Sequence, residues 1–324
     1  MQYRSLGKTG LRVSLAGFGT GGPSSLGQSA GLVQRQQTEL VRKALDLGIN
    51  LFDTSSRYGR SEEILGRALA GVPRDSYILS TKWGHATSWS PRGVEGEDGD
   101  VEQDPQAMIR SVEQSLQRLG IDCIDIMHFH GLRTKQYSTV VCRFGPVMKR
   151  LQEQGKIRFI GMSERYIADP RHEAAALALR SDPDFWDTVM VKYGILNQFA
   201  AKEVLPLAIK NNIGVMNMAA VRSKLPNLDL LEELVAQWKQ RGLIASDSLP
   251  DKNPLDWLIQ GDVTSTVNAG YRFAADHPAV GTVLTGTANV AHLVQNVAAL
   301  EMPTLSESDK QKLIDLFGEI AEYT

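Results

Sequence analysis

Short runs of β-branched and aromatic residues alternate along the chain with longer segments whose apolar positions recur every three or four residues. The short runs are typical of buried strands, and the longer segments are typical of amphipathic helices. The pattern predicts strands at residues 15–18, 50–53, 77–82, 123–129, 157–161, 188–193, 214–218 and 281–285. Apolar residues on one face mark the early helices: Leu40, Ala44 and Leu47, then Met108, Val112, Leu116 and Leu119.

The order of these segments predicts the fold class. Strand and helix alternate eight times with short connections, and Gly48 and Gly120 stand where a helix would end in the left-handed conformation. This α/β alternation predicts one domain over residues 1–324, a closed (β/α)8 TIM barrel. An open, doubly wound sheet is the alternative.

Three segments fall outside the repeat. Residues 3–14 predict an N-terminal hairpin that caps one end of the barrel. Residues 306–323, beginning with the capping residue Ser306, predict an extra C-terminal helix that packs across the barrel. The acidic, glycine-rich stretch within residues 95–104 is typical of a solvated loop, and the alternative is part of a lid over a substrate.

Composition narrows the classes of function. The chain has 42% hydrophobic and 22% charged residues and a formal net charge of -2, so it has no basic excess for nucleic acid or an anionic membrane. No segment approaches the roughly 18 uninterrupted apolar residues of a membrane span, and residues 1–8 lack a signal-peptide core. With only Cys123 and Cys142 as thiols, we expect a cytoplasmic protein with reduced cysteines.

The stretch from Gly17 to Gly22 has the G-x-G-x-x-G spacing of a dinucleotide-binding turn. That fingerprint requires a helix opening directly from the glycines. Residues 23–31 instead have a loop composition rich in Pro, Ser and Gly. The spacing alone therefore does not predict a Rossmann site here.

Polar residues at the carboxyl ends of predicted strands are the candidates for chemistry, because barrel enzymes place their active sites there. Asp53, Tyr58, Lys82 and His130 follow or end the second, third and fourth strands. Each has an ordinary alternative: a turn-capping Asp, a packing Tyr, a surface-reaching Lys and a core His.

Together the four residues predict a site that donates a proton to the substrate. Hydride transfer to a carbonyl places negative charge on oxygen, so the site needs an acid and a positive field. Tyr58 would be the general acid in reduction and the base in oxidation, with a pKa lowered by the Lys82 ammonium. Asp53 would keep Lys82 protonated, and His130 would hydrogen-bond the substrate oxygen.

This constellation resembles the aldo-keto reductase family. The stretches GINLFDTSSRYGRSEEILGRAL, LSTKWG, DCIDIMHFH, GKIRFIGMSE and TGTANVAHLVQN occur in the order that family shows, and with the N-terminal LGKTGLRVSLAGFGTG they cover nearly the whole chain. Within the family the sequence is most similar to sugar-type dehydrogenases acting on L-galactose or threo-aldoses. The resemblance implies interconversion of carbonyls, among them aldehydes, ketones and aldoses, with alcohols.

The resemblance also implies a nicotinamide cofactor across the barrel mouth. Residues 286–288 precede a helix starting near Asn289, whose positive end favours phosphate. The implied cofactor residues are Gly19, Thr20, Asp53, Ser163, Glu164, Met190, Met218, Gly286, Thr287, Ala288, His292, Gln295 and Asn296. Trp83 and Phe129 are candidates for the substrate pocket, with ordinary packing as the alternative.

Several of these positions depart from the family pattern. Glu164 stands in place of an Asn, and its alternative is pairing with Arg165 or solvent. Met190 and Met218 replace a Gln and a stacking aromatic residue, and Gly286 and His292 replace basic residues at the 2′-phosphate; Arg222 and Lys224 are candidates to compensate. The resemblance favours NADP(H), and NAD(H) remains an alternative.

Two other classes of function stay open. His128 and His130, spaced i, i+2, would face one side of a strand as in barrel metallohydrolases. Such a metal site needs further ligands on other strands, and the chain's six histidines offer few suitable ones, so we expect no metal. A regulatory protein that binds nucleotide without turnover is the other alternative. The presence of Asp53, Tyr58, Lys82 and His130 disfavours this regulatory function. The unusual residues at the cofactor positions, Glu164, Met190 and Met218, favour it slightly.

Overall fold

The computed structural model describes residues 1–87, 100–165 and 167–322. A closed barrel of parallel strands forms its centre, in the order β10-β3-β4-β5-β6-β7-β8-β9. The barrel strands are β3 (Ala16–Gly19), β4 (Leu51–Asp53), β5 (Ile78–Trp83), β6 (Ile124–Leu132), β7 (Ile157–Glu164), β8 (Thr188–Lys192), β9 (Gly214–Met218) and β10 (Val280–Thr285). All eight predicted strands are confirmed, with ends shifted by at most a few residues, and the open sheet is excluded.

Helices follow the strands and cover the outside of the barrel. They are α1 (Gln34–Asp46), α2 (Ser61–Leu69), α3 (Pro105–Leu119), α4 (Tyr137–Glu153), α5 (Glu173–Ser181), α6 (Val204–Lys210), α7 (Leu228–Gln240), α8 (Thr266–Asp276), α9 (Val290–Glu301) and α10 (Glu307–Phe317). Gly48 and Gly120 adopt φ values of 85° and 68° beyond α1 and α3, as the sequence predicts for helix ends.

The N-terminal segment forms the predicted hairpin, with β1 (Tyr3–Ser5) antiparallel to β2 (Arg12–Ser14). Leu6, Leu11 and Val13 are buried in one cluster with interior residues of the barrel strands. Gly7 lies so close to the start of β9 that a Cβ there would come within 2.3 Å of the Gly214 amide nitrogen. The hairpin therefore plugs the end of the barrel opposite to the carboxyl ends of the strands.

The extra C-terminal helix is α10. The Ser306 hydroxyl accepts a hydrogen bond from the Asp309 amide at 3.1 Å, which is the predicted cap. Leu313 and Phe317 are buried, and the Phe317 ring lies 5.5 Å from the Trp238 ring of α7. The helix thus packs on the outer layer of the barrel.

The acidic stretch predicted as a loop or lid lies largely outside the described residues. Its base is described: Ala86 forms a bridge with Val101, and the Thr87 amide donates to the Asp100 carbonyl. Among the helices of the described residues, none combines the length and apolar character that a membrane crossing requires.

Candidate active site

Three adjacent strands bring the four candidate residues to one end of the barrel. Asp53 is the last residue of β4, Tyr58 lies in the turn before α2, Lys82 is in β5 and His130 is in β6. The register pairs Asp53 with Ser80 and Lys82 with His128. Because side chains alternate along a strand, Ser80 and Lys82 project to the same side as each other, toward the barrel interior.

The Lys82 ammonium is buried between acceptors. Its Nζ donates to Asp53 Oδ2 at 2.6 Å and to the Thr54 carbonyl at 2.7 Å. Ser80 Oγ donates to the other Asp53 oxygen at 2.8 Å. Burial alone would lower the pKa of Lys82, but the charges and hydrogen bonds of Asp53 and Tyr58 together outweigh it and the pKa is raised. Lys82 is therefore an ammonium at neutral pH, as the sequence predicts.

Tyr58 lies next to this ammonium. Lys82 Nζ is 4.9 Å from the centroid of the Tyr58 ring. The pKa of Tyr58 is nevertheless raised above its ordinary value, because burial of the phenol outweighs the opposing charge of Lys82. The expectation of a lowered pKa is thus wrong for the protein alone: the ammonium offsets the cost of burying a phenolate without reversing it.

His130 faces Tyr58 from the neighbouring strand. The two rings meet edge to face with centroids 5.5 Å apart, and His130 Nδ1 lies 3.0 Å from Ser55 Oγ. Burial, followed by the charges of Lys82 and Arg57, holds the pKa of His130 well below its usual value. The imidazole is therefore neutral, and a neutral ring can carry an N–H donor toward a substrate oxygen.

Two of the glycines in residues 17–22, Gly17 and Gly21, are required by packing. A Cβ on Gly17 would lie 2.8 Å from Leu284 Cδ2, and a Cβ on Gly21 would lie 2.6 Å from Tyr58 Cε2. The first regular α-helix after them begins only at Gln34. As the sequence suggests, this is not a Rossmann turn; Gly21 leaves the space that the Tyr58 ring occupies.

The other side of the mouth, on β9, β10 and β3, carries buried polar atoms that have no partner among the described residues. They include Asn217 Oδ1, Thr285 Oγ1 and Thr20 Oγ1. Gly286 lies against this side, since a Cβ on it would be 2.9 Å from the Gly19 carbonyl oxygen. Met216, Met218 and Leu284 belong to the interior cluster, so strand alternation turns Asn217 and Thr285 outward, toward the helices and not into the mouth.

Helix α9 begins beside Gly286, as predicted. Asn289 caps it by accepting from the amides of Ala291 and His292 at 2.8 and 3.2 Å. Thr287 is buried, Ala288 and Asn296 are partly exposed, and His292 and Gln295 are exposed. The predicted nucleotide-binding residues therefore lie partly in the segment just before α9 and partly on the accessible face of its first turns.

Glu164 has partners that the sequence did not indicate. One oxygen accepts from the Lys192 amide at 2.8 Å, and the other lies 2.7 Å from His172 Nδ1. The carboxylate raises the pKa of His172 despite its burial, whereas burial lowers the pKa of Lys192 to about 7. Glu164 and His172 thus form a buried pair, and the pairing of Glu164 with Arg165 stays a prediction.

The remaining predicted cofactor residues differ in position. Ser163 Oγ accepts from the Gly131 amide at 3.1 Å, which ties β7 to β6. Met190 is buried in the interior cluster of the barrel, and Met218 is partly exposed at its edge. Arg222 and Lys224 line a small cavity with Lys192. The positive charge of Arg222 also acts to lower the pKa of Tyr58, although burial raises it overall.

The two aromatic residues expected in the substrate pocket lie elsewhere. Trp83 packs 4.5 Å from the Phe144 ring of α4, and Phe129 packs 5.6 Å from Trp186. Both are buried between the strands and the outer helices. Trp83 follows the inward-facing Lys82, and Phe129 precedes the inward-facing His130. Strand alternation therefore turns both rings outward, and their contacts are those of ordinary packing.

The sequence reasoning missed the side chains that orient the catalytic four. Ser80 precedes Lys82 by two residues in β5, and Ser55 follows Asp53 by two. The same-face spacing of Ser80 and Lys82 was a usable signal. His128 bonds inside the barrel, with Nδ1 3.2 Å from Ser80 and Nε2 3.2 Å from Thr188. Within the described part of the chain, no three His, Cys, Asp or Glu residues are grouped to hold a metal ion.

The fold and the buried Asp–Lys–Tyr–His site define a class of barrel oxidoreductases. The model of the Aldo/keto reductase family matches residues 17–316, and the chain belongs to that family. This confirms the resemblance seen in the sequence.

Individual relatives support the predicted branch. L-galactose dehydrogenase of Arabidopsis thaliana is 30% identical over 95% of this chain and 93% of its own length. NADH-specific methylglyoxal reductase of Escherichia coli strain K12 is 30% identical, covering 99% of each chain. D-threo-aldose 1-dehydrogenase of a Pseudomonas species is 29% identical over 91% of this chain and 92% of its own. An aldo-keto reductase of Pseudomonas aeruginosa has a similar solved structure, with a TM-score of 0.65, 28% identity and 96% of each chain covered.

Gly21→Ala tests the fit of Tyr58. The new methyl group would overlap the Tyr58 ring, so we expect kcat for carbonyl reduction to fall about 10- to 100-fold, the usual cost of a misplacement of about 1 Å. Steady-state kinetics measure the loss, and circular dichroism shows whether the fold is kept. A folded Gly21→Ala protein with wild-type kcat would show that the phenol position is unimportant.

Proposed function

We propose that this protein is a NAD(P)(H)-dependent oxidoreductase that interconverts carbonyl compounds and alcohols, with sugars or small aldehydes as substrates. The observation that carries the proposal is the buried Lys82 ammonium, held 2.6 Å from Asp53 and 4.9 Å from the Tyr58 ring centroid. The printed activities of L-galactose dehydrogenase, D-threo-aldose 1-dehydrogenase and methylglyoxal reductase support the substrate class.

A bound nicotinamide supplies or accepts the hydride. On the side of the mouth formed by β9, β10 and β3, the strand ends carry Gly19 and the partly exposed Met218, and a Cβ on Gly19 would meet no atom closer than 3.7 Å, so a cofactor could approach the backbone there. The accessible start of α9, with Thr287, Ala288, His292, Gln295 and Asn296, is where we place the nucleotide portion.

In reduction, the Tyr58 phenol gives its proton to the substrate oxygen. Asp53, Thr54 and Ser80 hold Lys82 in place, and the ammonium stabilises the phenolate that forms. The neutral His130 ring directs an N–H at the same oxygen. In oxidation the phenolate takes the proton back, so each residue serves both directions.

Tyr58→Phe tests this assignment. The ring remains but the proton is lost, so we expect kcat for reduction and oxidation to fall about 100- to 10,000-fold, the usual contribution of a general acid. Fluorescence titration with NADPH and NADH should give nearly unchanged affinities. Wild-type turnover in Tyr58→Phe would contradict the role, and a wild-type protein that binds nucleotide but reduces no aldehyde or aldose would favour the regulatory alternative.

The raised pKa of Tyr58 predicts opposite pH dependences for the two directions. Reduction needs the phenol, which stays protonated below a pKa that lies above 10.0, so its rate should be flat between about pH 6 and 9. Oxidation needs the phenolate, so its kcat should rise about tenfold per pH unit over the same range. Stopped-flow rates of hydride transfer measure both; a reduction rate that falls above about pH 7 would mean that another group is the acid.

The choice between NADP and NAD depends on charge near the 2′-phosphate. Residues 286–296 contain no Lys or Arg, and His292 is the one basic side chain among them. The family habit favours NADP(H), and that stays a prediction. Because the residues of α9 offer so little charge, we propose that NADH also supports turnover.

His292→Arg tests the position of the 2′-phosphate. An exposed ion pair contributes about 0.2–1 kcal/mol, so the ratio of NADPH to NADH affinity should rise about 1.4- to 5-fold. Ala298→Arg adds the same charge to an exposed position further along α9 and serves as the control. Equal changes in both variants would place the phosphate elsewhere, with Arg222 and Lys224 the next candidates.

A further inference from the structure

Arg57, the residue before Tyr58, reaches from the turn after β4 to the segment after β5. Its Nη2 donates to the Gly84 carbonyl at 3.0 Å and to the Ala86 carbonyl at 2.5 Å. Hydrogen bonds from an ionised donor are about twice as strong as neutral ones. The guanidinium therefore joins the chain just before Tyr58 to the chain just beyond Lys82.

The absence of a side chain at Gly84 leaves the space that the Arg57 guanidinium occupies. A Cβ on Gly84 would lie 1.9 Å from Arg57 Nε, 2.2 Å from Cζ and 2.5 Å from Nη2, and these are its three nearest atoms. Any side chain at position 84 would occupy the place of the guanidinium. Gly84 has no positive φ, so its lack of a side chain is explained by the contact and not by the backbone conformation.

Other hydrogen bonds also hold the turn that carries Tyr58. The Tyr58 amide donates to the Ser55 carbonyl at 3.0 Å, and Ser56 Oγ donates to the Lys82 carbonyl at 3.1 Å. Gln28 Nε2 donates to the Tyr58 carbonyl at 3.1 Å. Arg57 connects this turn to the segment that follows β5.

We propose that Arg57, seated on Gly84, is a positioning residue that fixes the Tyr58 phenol relative to Lys82 and His130. This inference rests on the proposed function. The reacting atoms lie on two segments, and their separation has to be kept to a fraction of an ångström for proton transfer. A guanidinium with two carbonyl acceptors on the second segment fixes the first segment more rigidly than the flexible turn could by itself.

A double-mutant cycle tests the contact without any assay of turnover. Gly84→Ala should lower the Tm of the wild-type protein because the new methyl group displaces the guanidinium. In an Arg57→Ala background the same change should leave the Tm nearly unchanged, since the three atoms nearest to the new methyl group are all gone. Equal losses of Tm in both backgrounds would overturn the assigned contact.

The kinetic arm tests the positioning role. Arg57→Ala, Gly84→Ala and the double variant should each lose about 10- to 100-fold in kcat, with the double variant no worse than either single one. The KM for cofactor should change little, and Arg57→Lys should recover part of kcat because one carbonyl can still be reached. A folded Arg57→Ala protein with wild-type kcat would refute the role.

The two arms separate the two proposals. If the wild-type protein turns over no carbonyl compound, the proposed function fails while the cycle in Tm still reports the contact. If the wild type is active and the variants lose kcat in proportion to lost folded protein alone, Arg57 is a structural residue and the positioning proposal is wrong.

Discussion

The buried pair of Lys82 and Asp53 is the constraint on which the rest of the site depends. Removing one partner of a buried ion pair typically costs about 3–5 kcal/mol, since the other charge is left uncompensated. Here the Thr54 carbonyl and the Ser80 hydroxyl supply the additional partners. These groups belong to β4, β5 and the residue after β4, so the pair fixes the register of two strands at the point where Tyr58 has to be placed. The interaction that keeps the ammonium charged is therefore also the one that positions it.

Burial gives the site its chemical character. The pKa of Tyr58 rises because a phenolate is poorly solvated there, and the pKa of His130 falls because an imidazolium is. Both groups are thus neutral in the protein alone, and in the proposed mechanism Lys82 is the charged group that would stabilise a Tyr58 phenolate. The same low dielectric that makes the phenol a reluctant acid strengthens its interaction with the ammonium. If Tyr58 is the proton donor, as proposed, it is effective only while its geometry is kept, and the close packing of Gly21 and the hydrogen bonds of Arg57 would help to keep it.

The sequence predicted what depends on position along a strand and missed what depends on contact across the barrel. Asp53, Lys82 and His130 were found because parallel strands gather their carboxyl ends at one edge. Trp83 and Phe129 are neighbours of inward-facing residues, so strand alternation turns both toward the outer helices, where they pack on Phe144 and Trp186. Glu164 with His172, and Arg57 with Gly84, join segments whose proximity no local pattern encodes. The direction in which the pKa of Tyr58 shifts could not be predicted without knowing how deeply the phenol is buried, because burial raises this pKa and the Lys82 ammonium lowers it.

The mouth of the barrel divides into two sides with different chemistry. On β4, β5 and β6 the polar groups of the catalytic four are linked to one another, and the charges there are balanced. On β9, β10 and β3 the inward-facing residues at the strand ends are Met218, Leu284 and Gly19, and none of them carries a charge. Gly21 lies at the junction of the two sides, since it follows β3 and a Cβ on it would contact the Tyr58 ring. A cofactor held on the uncharged side, as proposed, would therefore lie directly beside Tyr58, which is the relation that hydride and proton transfer to one carbonyl requires.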